Sequence, residues 1–117
     1  MTDRLAKLVA LRKAVETGKP IRAPDARSLW LENGIWREAC LASQGSTDAA
    51  LTLRRAVLPG VPWSIMFEPD DEGHEYYASM NHHTNDEMLF IHELAPTLAR
   101  ALLLAMLSAL IERERTG

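Results

Sequence analysis

The residues best suited to chemistry lie between Glu68 and Glu93. This stretch holds Glu68, Asp70, Asp71, Glu72, Glu75, Asp86, Glu87 and Glu93, all four histidines (His74, His82, His83 and His92), and no Lys or Arg. Imidazole and carboxylate are the ligands of zinc and other divalent cations. The segment therefore admits a divalent-metal-binding module or a small metal-dependent enzyme, with His74, His82, His83 and Asp86 as candidate ligands. The spacing argues against a built site. There is no His-Glu-x-x-His pair, no Asp-x-Asp-x-Asp-Gly calcium loop and no cysteine pair. The plainer reading is a run of solvated acidic turns, and on that reading we expect no cofactor and no metal.

Other chemistries find less support. Ser46, Ser64, Ser79 and Ser108 lack a nucleophile-elbow context. The six glycines are scattered singly, so no phosphate-cradling loop exists. Cys40, the one cysteine, has no neighbouring activator, and a pairing with His92 has no local signature. We expect no catalytic residues and no enzyme.

The elements that would carry these residues are read from periodicity. Asp3 to Thr17 predicts a helix with Leu5, Leu8, Leu11 and Val15 on one face, capped by Thr2 and closed by Gly18. Pro20 and Pro24 then break the chain. Residues 20–45 are expected to be irregular or helical, with a short helix opening near Pro24 and ending at Asn33-Gly34, and Ile35 to Ala42 forming a second short helix or a strand. Ser46-Thr47-Asp48 caps a second clear helix, whose apolar face is Ala50, Leu53, Val57 and Leu58 and which Pro59-Gly60 ends.

Three strand-like segments follow: Trp63 to Phe67, Glu75 to Met80, and Glu87 to His92, the last apolar on both alternations. Turn-rich connectors at 69–73 and 81–85 suit an antiparallel meander. Trp63, Phe67, Tyr76 and Phe90 are expected in the core. Trp30 and Trp36 are read as packing residues, although among the aromatics Tyr77 and Trp30 are the better candidates for exposed contacts. The last helix, starting near Pro96, is apolar on nearly every side, with Arg100 its one charge before Glu112. Such a helix must be covered on more than one face. Leu98, Leu102, Ala105 and Ala109 are assigned to the sheet and first helix. Leu103, Leu104, Leu107 and Ile111 remain, and if exposed they would offer an interaction face.

The fold class expected is therefore α+β: a three-stranded antiparallel sheet with helices on both faces, an α/β/α sandwich, in a single domain over residues 1–117. Composition agrees with a globular chain, at 47% apolar and 25% charged residues. One cysteine excludes an internal disulfide and suits a reducing cytoplasm. The amino terminus lacks the apolar core of a secretory signal. The longest uncharged apolar run, Ala101 to Ile111, falls short of the roughly 20 residues of a membrane span. Residues 1–58 carry ten Lys/Arg against six Asp/Glu, whereas 59–117 carry three against ten. The basic excess is diffuse and without interleaved aromatics, so nucleic-acid binding is not expected.

Three stretches resemble the phage ABA-sandwich domain family: Ser46-Thr47-Asp48-Ala49-Ala50-Leu51-Thr52-Leu53, then Leu58-Pro59-Gly60-Val61-Pro62-Trp63, then Ala95-Pro96-Thr97-Leu98-Ala99-Arg100-Ala101-Leu102. The similarity spans about residues 46–111. It implies an α/β/α sandwich in a small phage or prophage protein, with Arg100 at the position where that family often has an arginine. It implies no activity, cofactor or catalytic residue. The resulting expectation is a non-enzymatic accessory or interaction protein, cytoplasmic in a host cell. Its partner would be a basic protein at the acidic sheet edge or a second copy forming a homodimer.

Overall fold

This computed structural model describes residues 3–30, 35–58, 63–67, 76–84 and 87–116, with strand side chains described at 76, 78, 79, 91 and 93–95. Helix α1 (Asp3–Glu16) buries Leu8, Leu11 and Val15, the stripe its three- and four-residue spacing sets out. Its end is fixed by backbone geometry. Gly18 takes φ +86, its amide donates to the Val15 carbonyl at 3.0 Å, and the Lys19 amide reaches Ala14 at 2.8 Å. This is the Schellman pattern, which favours glycine because a side chain resists positive φ.

Two eight-residue helices follow, α2 (Ala23–Trp30) and α3 (Trp36–Ser43). Pro24 falls in the first turn of α2, where a missing N–H costs no helical bond. Trp30 is 2% exposed, so it is a packing residue, and the alternative of an exposed contact does not hold for it. A second Schellman turn closes α3: the Gly45 amide donates to Ala42 and the Ser46 amide to Leu41, both at 3.0 Å. Ser46 then opens α4 (Thr47–Val57), its hydroxyl accepting from the Ala49 amide at 3.2 Å. Ala49, Ala50, Leu53 and Leu58 are buried beneath it.

Strands β1 (Trp63–Phe67), β2 (Tyr76–Thr84) and β3 (Glu87–Ala95) lie in that order, each antiparallel to the next. The sheet is chiefly the β2–β3 ribbon, paired from Tyr76↔Ala95 to Thr84↔Glu87, with short β1 along one edge. Both longer strands outrun the expected spans. The residues read as a turn at 81–84 are ladder residues, because backbone pairing makes no demand on side-chain type. Helix α5 (Leu98–Thr116) starts after Pro96 rather than on it, with the Thr97 hydroxyl accepting from the Arg100 amide at 3.2 Å.

The layer order overturns the expected α/β/α sandwich, and with it the architecture that the family resemblance implies. The described chain is predominantly helical, and its helices do not flank the sheet. Helix α5 alone packs against β2 and β3, while α1, α3 and α4 pack against α5 from its other side. Among the described residues the sheet thus has helices on one face only, with α5 as the middle layer.

That position explains the composition of α5. Residues 101–107 and 109–111 are all buried, which is what a helix apolar all round requires. Leu103, Leu104, Leu107 and Ile111 are 0%, 3%, 0% and 6% exposed. They are core residues and not a docking face, because α1, α3 and α4 supply the cover that the sheet does not. The charge on Arg100 serves this packing too, since its Nε donates to the Val15 carbonyl at 3.3 Å. A cation is favourable at that place, the C-terminal end of α1.

Candidate functional site

The ribbon has two faces with different fates. Ala78, Ile91 and Ala95 are buried, and Glu93 bonds to Ser108 of α5, so these alternate positions form the face against the helix. Leu94, between Glu93 and Ala95, belongs to the opposite face and is 44% exposed. Strand β3 reads Met88-Leu89-Phe90-Ile91-His92-Glu93-Leu94-Ala95, apolar on both alternations. A strand of that kind is usually covered on both sides. Helix α5 covers one side, and no described helix lies against the other.

The register identifies the positions that share Leu94's face. Tyr77 pairs with Leu94, Ser79 with His92, Asn81 with Phe90 and His83 with Met88, and cross-strand partners lie on the same side of a sheet. None of these positions carries Asp, Glu, Lys or Arg. These register positions are uncharged in a segment otherwise rich in acidic residues. Tyr77, the aromatic expected at an interface, holds the register position opposite the exposed Leu94. Leu94 itself was not singled out by the sequence, although the two-sided apolar pattern of β3 was its signal.

The candidate metal ligands fall differently. His74 and Asp86 lie outside the described residues. His82 and His83 occupy consecutive ladder positions of β2, opposite Leu89 and Met88, with their side chains outside the description. Among the described residues no three His, Cys, Asp or Glu side chains gather into a metal-holding group.

One polar cluster does form, where α1, β3 and α5 meet. Glu93 Oε1 accepts from Arg12 at 2.5 Å and from the Ser108 hydroxyl at 2.7 Å, and Arg12 Nε donates to Ser108 Oγ at 2.8 Å. Arg12 also pairs with Glu16 at 2.9 Å. Burial lowers the pKa of Arg12, but the hydrogen bond and charge of Glu93, with help from Glu16, outweigh it and the net direction is upward. A carboxylate neutralised by a guanidinium is a poor general base, so Ser108 is held rather than activated. The cluster is a latch that ties the first helix to the sheet through the last helix.

Cys40, half-buried on α3, points the same way. Burial pushes its thiol up from 9.0, with Arg27 opposing and Asp25 adding to the rise, so it is less nucleophilic than a free thiol at neutral pH. Among the described residues no helix is long and apolar enough to cross a membrane. Compared with known proteins, this chain matches no protein family, no curated protein and no solved structure. Its functional reading therefore rests on its own geometry.

Proposed function

We propose that this chain is a non-enzymatic interaction protein that pairs with a second copy of itself through the sheet face carrying Leu94. The observation that carries the reading is the one-sided helical cover of the ribbon: α5 packs on one face, and the other is open at Leu94, which is 44% exposed, while Ser79 farther along that face is buried. The absence of charged residue types from this face favours a copy of the same chain over a basic partner. A basic protein would seek carboxylates there. In a symmetric pair, by contrast, every charge on the patch would meet its like, so an uncharged patch is the self-compatible choice. The single cysteine suits the cytoplasm, and the resemblance carried by residues 46–53, 58–63 and 95–102, which does not extend to the layer order, motivates an accessory role in a phage or prophage.

The test is Leu94→Glu. A carboxylate placed on both halves of a symmetric apolar contact is desolvated and repelled. Light scattering on the wild type is expected to give a mass above that of one chain at high concentration, and on the variant the mass of one chain. A wild type that stays monomeric throughout the concentration range removes the proposal.

A further inference from the structure

We propose that the cleft between α1, α2, α4 and the end of α5 binds a small organic phosphate monoester. This site is independent of the self-association surface. The cleft has a volume of about 680 Å³ and takes Arg4 from α1, Arg27 and Trp30 from α2, Val57 from α4, and Arg113 and Glu114 from α5. That volume is in the range of pockets that hold small metabolites.

Its charge is unbalanced. Of the three arginines, Arg4 is committed: its Nε pairs with Glu114 at 2.9 Å and its terminal nitrogen donates to the Leu29 carbonyl at 3.3 Å. Arg113 has no ion pair among the described residues. Arg27 has none either, and its guanidinium lies 4.3 Å over the Trp36 ring, which restrains it without satisfying its N–H donors. The cleft is therefore lined by two arginines with no ion pair among the described residues, and a guanidinium presents its donors in the planar fork that fits phosphate oxygens.

Two such positive charges match a dianion better than a carboxylate. A phosphate monoester carries close to two negative charges at neutral pH, its second ionisation lying near pH 6. The rest of the wall asks for more than bare phosphate. Leu29, Val57 and Leu110 supply apolar surface for an organic body.

Titration calorimetry at low salt with phenyl phosphate, benzoate and inorganic phosphate tests the assignment on the full chain. Phenyl phosphate is expected to bind saturably with one site per chain, about tenfold or more tighter than either of the others. Arg113→Gln removes a side chain with no described partner, so it should fold as the wild type does, and it should weaken phenyl phosphate about tenfold. Adding Arg27→Gln should weaken it further. Affinity should also fall between pH 7.5 and 5.5, as the dianion is protonated. Absence of saturable binding, equal affinity for benzoate, equal affinity for inorganic phosphate, or an Arg113→Gln variant that binds as the wild type does would each overturn the proposal.

Discussion

Glu93 serves two partners through one oxygen, and both are far away in sequence: Arg12 is 81 residues distant and Ser108 is 15. Glu93→Ala strips both of their acceptor and leaves a partly buried guanidinium and a hydroxyl unsatisfied. The expected loss is about 1–3 kcal/mol in urea unfolding, toward the lower end because Arg12 keeps Glu16. A midpoint equal to that of the wild type would show that the latch is idle. Cys40 gives a second test at this scale. With its folded pKa raised, the thiol contributes stability that is fully present below its ordinary 9.0 and is lost as pH rises through the folded value. Alkylation at pH 8 should be slower in the folded chain than in the same chain in denaturant, and a faster folded rate would contradict the assignment. The sequence grouped Glu93 with its acidic neighbours along the chain. Its role depends on two partners supplied by other elements, and no local pattern announces them.

At the scale of elements, the junction of α3 and α4 turns on Ser46, which ends one helix through its amide and starts the next through its hydroxyl. Ser46→Ala keeps the first bond and loses the second, so it should cost about 1 kcal/mol. Thermal unfolding would register this as a fall of several degrees, and an unchanged midpoint would mean that the cap is dispensable. Helices α1, α4 and α5 were legible because apolar period and end signals agree in each. The pair α2 and α3 was legible only in outline, as a short helix opening at Pro24 and a helix or strand over 35–42, because each is only eight residues long and Ile35, which precedes α3, makes no side-chain cap bond. Strand β2 was read short for a related reason. Asn81, His82, His83 and Thr84 are turn-like residue types, whereas their pairing with β3 is made by backbone groups common to every residue.

For the whole molecule, the apolar run of α5 signals full burial, and the structure buries it. The sequence does not say which element covers which side. A sheet between two helical layers and a helix between a sheet and other helices have the same composition and nearly the same pattern, and only the second is realised here. The choice leaves the second face of the ribbon without a described helix, and the account of function depends on that face. The ribbon is only about 30 Å long and about 10 Å wide by strand dimensions. This is less than the roughly 800 Å² per partner of a standard interface, so the pairing should be weak and concentration-dependent. Leu41 on α3, at 50% exposure, is a matched control because it is an equally exposed leucine away from the sheet. The decisive measurement is sedimentation velocity across a concentration series for the wild type, Leu94→Glu and Leu41→Glu. The weight-average sedimentation coefficient is expected to rise with concentration for the wild type and Leu41→Glu and to stay flat for Leu94→Glu. A flat wild-type series, or loss of the rise in Leu41→Glu with its retention in Leu94→Glu, would contradict it.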